Sequence, residues 1–241
     1  MDITGSAMDY VSDLSNNGWA FIPGEYYAGR FAGELSMASW HDALRLAYAE
    51  LIRDPYSPGN RFRSYLQFSV RNGEIVFGHY YDYQQTKEYN PDTGGIVRSY
   101  PAIHSSLLSD PLFYSLVEYD LAFAKQHPKI EDLNHVDMGV HLFRYKATLE
   151  EPSFSSPIWL HKDDEDLVFV HHLGTSPGAL GGDNLIAPNG RHIEKVLRLT
   201  SHLDTLVVDH QKFHAVTPLG AISVEPVIRD VILVTFQQRS R

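Results

Sequence analysis

Apolar residues recur at helical spacing from Phe31 to Arg53, where Trp40, Ala43, Leu44, Ala47 and Leu51 fall along one face. A shorter helix is predicted over Met8–Asn17, and Trp19-Ala20-Phe21-Ile22-Pro23 between the two reads as a short strand. Phe62–Val70 and Gly73–Tyr83 read as strands joined by a turn at Asn72-Gly73. A third helix is predicted over Ser105–Gln126, with Ser109-Asp110-Pro111 as a break or second start. From Val136 the reading is nearly all strand, with candidates Val136–Ala147, Ile158–Asp163, Leu167–Leu173, Asn184–Ala187, Thr205–Asp209, His214–Thr217 and Val227–Gln237. Turn signals separate them at Ser176-Pro177-Gly178, Gly181-Gly182-Asp183, Pro188-Asn189-Gly190 and Pro218-Leu219-Gly220. Helices followed by many strands predict an α+β chain with a β-sandwich or barrel core. No repeat or linker divides it, so one domain over 1–241 is expected, its helical and strand N-terminal part covering about 1–135 and its strand core about 136–241.

Composition removes several function classes. The 241 residues are 43% hydrophobic and 21% charged, enough for a sizeable core. A formal charge of -10 without a basic run argues against nucleic acid, whose binding depends on neutralising phosphates. No apolar window is long enough for a membrane span, and Met1–Tyr10 lacks the basic and apolar regions of a signal peptide, so a cytoplasmic location is expected. The absence of cysteine excludes disulfides, thiolate nucleophiles and Cys-ligated zinc or iron–sulfur sites. Thirteen histidines then direct attention to metal binding through His, Asp or Glu.

The strongest constellation begins at Ile158-Trp159-Leu160-His161-Lys162-Asp163. In a strand, His161 and Asp163 share a face, which brings an imidazole and a carboxylate together. A third ligand is expected from another strand, and His214 in Phe213-His214-Ala215-Val216-Thr217-Pro218 is preferred because it heads an apolar, β-branched run. His210 is a rival, although it lies among polar residues in an expected turn. His104, His135, His141 and the pair His171-His172 suit core or surface roles better than ligation. Two imidazoles and one carboxylate on one side of a metal leave open positions, the pattern of iron(II) oxygenases. Arg229, in Val227-Ile228-Arg229-Asp230-Val231-Ile232-Leu233-Val234-Thr235-Phe236, shares a face with Val231, Leu233 and Thr235. A cation on such a face requires an anion, and a bound dicarboxylate held in a bidentate pair would supply it.

These residues resemble the iron(II)/2-oxoglutarate-dependent dioxygenase superfamily, and more narrowly the bacterial L-isoleucine 4-hydroxylase (L-isoleucine dioxygenase) family. The likeness is carried by Arg144 to Thr148, Glu151 to Glu165, Gly181 to Ala187, Phe213 to Gly220, Arg229-Asp230 and Leu233 to Phe236. Upstream, Arg63-Ser64-Tyr65, Lys87 to Asn90 and Gly94 to Arg98 also agree. It is most specific from 144 onward and reduces to layout in the first 60 residues.

The resemblance implies a double-stranded β-helix (jelly-roll, cupin-like) core flanked by N-terminal and central helices. It implies Fe(II), 2-oxoglutarate and O2 as cofactor and cosubstrates, with His161, Asp163 and His214 on the metal and Arg229 on 2-oxoglutarate. The implied reaction hydroxylates a free aliphatic L-amino acid resembling isoleucine, leucine or methionine and forms succinate and CO2. Arg98 and Arg63 are candidates for the substrate α-carboxylate, and Tyr145 and Ser155 for hydrogen bonds to either substrate; Lys162 is expected to be structural. A zinc hydrolase, a non-catalytic metal-binding barrel or sensor, and an oxygenase acting on a peptide or other small molecule remain as alternatives. The preferred amino acid, the carbon hydroxylated and the oligomeric state, with a homo-oligomer allowed, are left open.

Overall fold

The computed structural model describes residues 7–31, 37–77 and 82–239. Helix α1 (Ala7–Asn17), strand β1 (Trp19–Ile22), helix α2 (Gly24–Phe31) and helix α3 (Met37–Ala49) open the chain. Strands β2 (Ile52–Arg53), β3 (Arg61–Arg71) and β4 (Glu74–Phe77) follow, then helices α4 (Ser105–Leu108) and α5 (Pro111–Ala124). The remaining strands are β5 (Val136–Ala147), β6 (Leu167–Thr175), β7 (Ala179–Leu180), β8 (Asn184–Ala187), β9 (Lys195–Leu197), β10 (Thr205–Asp209), β11 (Phe213–Val216), β12 (Gly220–Ala221) and β13 (Val227–Gln238).

Pairing is antiparallel throughout. The large sheet runs β1-β10-β6-β13-β5-β3-β2, with β4 added to β3, and smaller sheets run β11-β8-β9 and β12-β7. This gives the α+β arrangement that the sequence pattern predicts, with the jelly-roll core that the resemblance implies. Its two long central strands separate the chemistry of the large sheet onto two faces. Met138, Val140 and Leu142 of β5 and Ile232, Val234 and Phe236 of β13 join a core with Trp40 and Leu44 of α3 and Leu112, Phe113, Leu116 and Leu121 of α5. The alternate residues, His141, Phe143 and Tyr145 on β5 and Arg229, Val231, Leu233 and Thr235 on β13, line a cavity with β8 and β11 of the small sheet. Period-two alternation places apolar residues under the helices and functional groups opposite them.

Local chemistry explains several boundaries. Asn72 and Gly73 both take positive φ, 52° and 80°, the conformation of a tight turn between twisted strands, and so join β3 to β4. The helix expected over Ser105–Gln126 divides where anticipated, because Asp110 accepts from the Leu112 backbone N–H at 2.9 Å and Pro111 starts α5.

Other expectations are corrected. The helix foreseen over Phe31–Arg53 is confined among the described residues to Met37–Ala49, and its foreseen end, Ile52-Arg53, is instead β2, paired with Phe62 and Arg63. Residues 32–36 of that range lie outside the described residues. Helix α2, directly after Pro23, was not foreseen; its buried Tyr26 and Tyr27 pack in an aromatic cluster with Tyr119, which tertiary contact rather than periodicity explains. Of the strand expected over Gly73–Tyr83, the described residues show Glu74–Phe77; residues 78–81 lie outside the described residues, and Tyr83 forms a bridge to Arg98. Ile158–Asp163 is not a strand either, and touches β11 by one bridge, His161 to His214. The other edge of β11 is taken by β8, and the acidic run after His161 leaves no continuous ladder.

Behind the large sheet, His171 and Asp120 are both fully buried, with Nε2 and Oδ2 2.7 Å apart and His171 Nδ1 2.8 Å from Thr205 Oγ1. Burial pushes the Asp120 carboxyl upward while His171 opposes the shift. A buried pair of this kind costs most when one partner is removed. His171→Leu is expected to lower the unfolding free energy by about 3–5 kcal/mol in urea titration. The Asp120→Leu/His171→Leu double substitution should recover most of that loss, and a single-substitution loss below about 1 kcal/mol would contradict this account.

Candidate metal and cosubstrate site

His161, Asp163 and His214 converge in the lining of the cavity, their ligand-type atoms all within 4.8 Å of one another. Reciprocal backbone hydrogen bonds, His161 N–H to His214 O at 3.0 Å and His214 N–H to His161 O at 2.9 Å, hold the two histidine backbones side by side. His214 Nε2 lies 3.0 Å from Asp163 Oδ2, and His161 Nε2 lies 3.6 Å from Asp163 Oδ1.

Each imidazole is oriented by its other nitrogen. His161 Nδ1 lies 2.7 Å from the Trp159 carbonyl and His214 Nδ1 lies 3.3 Å from the Lys212 carbonyl. A carbonyl can only accept, so Nδ1 is the donor in both rings and a neutral ring presents its Nε2 lone pair to the cluster. This is the outer-shell arrangement that prepares histidine for a metal. Burial raises the Asp163 carboxyl, but His214 and His161 more than reverse this and hold it well below the usual carboxylate range. Burial lowers His214, and Asp163 raises it above the ordinary histidine value. The donor set therefore suits a divalent metal. His210 is not part of it; it sits beside Asp209 at 3.1 Å.

Arg229 lines the same cavity and is 4% exposed. Burial lowers its pKa, its Nη2 has no hydrogen-bond partner, and no carboxylate pairs with it among the described residues. The neighbouring Asp230 projects to the other face, where both its oxygens accept from Arg144, at 2.8 and 2.7 Å. Gly182, at φ +73°, keeps room beside Arg229: a Cβ there would lie 3.0 Å from Arg229 Cδ. An unpaired buried cation facing a cavity matches the far carboxylate of a dicarboxylate.

The remaining sequence candidates also reach this cavity. Arg98 is 1% exposed and donates to Thr93 Oγ1 at 3.1 Å and Gln85 Oε1 at 3.0 Å, while its Nε has no partner among the described residues. Arg63 donates to Tyr100 Oη at 3.1 Å and to His141 Nδ1. Because arginine can only donate, His141 Nδ1 is the acceptor; burial, then Arg63 and Arg98, push this histidine well below its ordinary pKa and keep it neutral. Tyr145 and Ser155 line the wall, although the Ser155 hydroxyl donates to Pro157 O at 2.9 Å. Lys162 stands over the Phe213 ring at 5.0 Å.

Sequence reasoning missed Tyr83, Gln85, His141, Phe143 and Glu165 on the cavity wall. Alternation along β5 from Tyr145 would have found Phe143 and His141, and spacing from Asp163 would have suggested Glu165. Nothing local marks Tyr83 or Gln85. Burial, with the Asp163 charge adding to it, pushes Glu165 up to about 7, while Tyr83 Oη donates to its Oε1 at 3.1 Å and opposes the shift.

A jelly roll holding a two-histidine, one-carboxylate cluster and a buried arginine defines a class. The chain belongs to the 2OG-Fe dioxygenase family, whose model matches residues 46–235. It is 47% identical over 237 residues to the 3(1)-hydroxy-L-isoleucine 4-dioxygenase of Pantoea ananatis (strain AJ13355), covering 96% of each chain. It is 44% identical over 236 residues to the L-isoleucine-4-hydroxylase of Bacillus thuringiensis, covering 97% of this chain and 96% of that one. The crystal structure of IDO from Bacillus thuringiensis superposes with a TM-score of 0.83 at 37% identity, covering 98% of this chain and 100% of the other. A bsmA homolog from Methylobium petroleophilum PM1, 20% identical over 99% of this chain and 95% of its own, shares the fold with a TM-score of 0.84. The family uses Fe(II), 2-oxoglutarate and O2. Membership sets aside the zinc-hydrolase and non-catalytic alternatives.

The role of Arg229 is open to direct measurement. Arg229→Met is expected to weaken 2-oxoglutarate binding to the cobalt(II)-loaded protein by roughly 30-fold or more in anaerobic calorimetry. Cobalt(II) affinity should remain within a few-fold of the unaltered protein. Unchanged 2-oxoglutarate affinity would remove Arg229 from the cosubstrate site.

Proposed function

We propose that this enzyme hydroxylates a free aliphatic L-amino acid of the isoleucine, leucine or methionine type. His161, Asp163 and His214 hold iron(II) in this reading, and Arg229 pairs with the far carboxylate of 2-oxoglutarate. Bound together, iron(II) and 2-oxoglutarate supply the oxidising chemistry, in which O2 delivers one oxygen to a C–H bond and one to succinate, with release of CO2. The chain's own residues supply binding, orientation and exclusion of water.

The observation that carries the reading is the lining of the cavity between cluster and sheet. Val168, Val170, Leu206, Val231 and Leu233 give it an apolar wall suited to an aliphatic side chain. Arg98 and Arg63, nearly fully buried and lining the same cavity, are suited to the α-carboxylate. Arg61 is excluded from that part, because Asp54 already pairs with it through Nε at 3.1 Å and through Nη2. Tyr145 and Ser155, which line the cavity, are the residues this reading assigns to hydrogen bonds with either substrate. The names of the two bacterial relatives support an isoleucine-like substrate.

The same reading treats 1–241 as one domain acting in the cytoplasm, where 2-oxoglutarate and free amino acids are available. Among the described residues no helix is long and apolar enough to cross a membrane.

The test is succinate formation from 2-oxoglutarate with each free L-amino acid in turn, together with mass spectrometry for a +16 product. L-isoleucine, L-leucine or L-methionine should stimulate succinate release at least about 10-fold over the amino-acid-free rate and give the product. Failure of every aliphatic amino acid would overturn the substrate reading.

A further inference from the structure

The cavity contains acidic and basic side chains without ion-pair partners among the described residues, arranged around one aromatic ring. The Arg63 and Arg98 guanidinium carbons lie 4.4 and 4.6 Å from the Tyr83 ring centroid. Neither arginine has a carboxylate partner among the described residues, and Nε is unpartnered in both. At the far end of the same ring, Tyr83 Oη donates to Glu165 Oε1 at 3.1 Å. Glu165 is 8% exposed, lines the cavity and has no Lys, Arg or His within ion-pair distance among the described residues.

A buried carboxylate without a cation and two buried guanidiniums without an anion are each costly alone. Within a single cavity they form complementary halves. A zwitterion satisfies both, and Tyr83 spaces the two ends.

We propose that Glu165, fixed by Tyr83, is the receptor for the α-ammonium group of the substrate, working opposite Arg98 and Arg63 at the α-carboxylate. This assignment rests on the amino-acid reading above and deepens it. It makes a free α-amino group a requirement: N-acylated amino acids and peptides lacking a free N-terminus are rejected because they present Glu165 with a neutral amide. A simple fatty acid is disfavoured because it leaves that carboxylate unpaired. Selection for an unmodified amino acid is thereby separated from selection for its side chain, which the Val and Leu wall performs.

The test uses the full chain loaded with cobalt(II) and 2-oxoglutarate without oxygen, and reads Kd by calorimetry for L-isoleucine, N-acetyl-L-isoleucine and 3-methylpentanoic acid. The unaltered protein should bind L-isoleucine at least about 30-fold more tightly than either analogue. Glu165→Gln should lose at least about 30-fold for L-isoleucine while changing the 3-methylpentanoic acid Kd by less than about 3-fold, so that discrimination disappears. Equal binding of all three ligands by the unaltered protein overturns the assignment whether or not the variant folds. So does a variant that keeps its preference for L-isoleucine, or one that weakens both ligands alike. If the unaltered protein binds none of the aliphatic L-amino acids, the substrate reading fails and takes this assignment with it. Preserved L-isoleucine binding in Glu165→Gln overturns the assignment alone.

Discussion

A guanidinium buried in the cavity wall, with no carboxylate paired to it among the described residues, constrains the whole molecule. A guanidinium keeps its proton even when buried, so Arg229 must be met by an anion or by solvent in the cavity, since an isolated buried charge costs several kcal/mol. The structure maintains that condition in several ways. Asp230, the nearest acid in sequence, is turned to the opposite face and bound there by Arg144. Gly182 removes the side chain that would crowd Arg229, and Val231 and Leu233 continue the wall from it. The result is a polar socket set into an apolar strand. It lines the same cavity as the metal-ligand cluster.

The long alternating strands make this economical. On β5 and β13 one residue set is committed to the helices behind the sheet and the other to the cavity, so core and site are encoded in the same segments. A one-residue slip would exchange them, placing Arg229 beneath the helices and Ile232 in the cavity. The buried His171–Asp120 pair ties β6 to α5 across the back face and helps fix the assembly that sets this register.

Much of this was legible in the sequence for physical reasons. Val136–Ala147, Asn184–Ala187 and Thr205–Asp209 emerge with the expected boundaries. The cluster His161, Asp163 and His214 was legible from residue type and spacing, although not for the reason first given. Strand alternation was expected to align His161 with Asp163, whereas a single bridge to β11 and an irregular acidic turn bring them together. Arg229 was legible because a charge in an apolar strand contradicts its surroundings. The parts that could not be read depend on long-range contact. Helix α2 is held by aromatic packing against α5, and Tyr83 gains meaning only between Arg63, Arg98 and Glu165. Neither leaves a local period or motif.

Family membership fixes the class of chemistry, while the cavity defines what is presented to it. An apolar wall, two cations and one carboxylate together favour a small zwitterion with a branched or linear aliphatic chain over a peptide. The central claim, that this chain couples 2-oxoglutarate breakdown to hydroxylation of such an amino acid, is tested most directly by the fate of labelled oxygen. In a reaction run under 18O2 with L-isoleucine as substrate, the account predicts one 18O atom in the new hydroxyl group, one in succinate, and equal amounts of the two products. Hydroxylated amino acid lacking the label, or formed without an equivalent of labelled succinate, would contradict it.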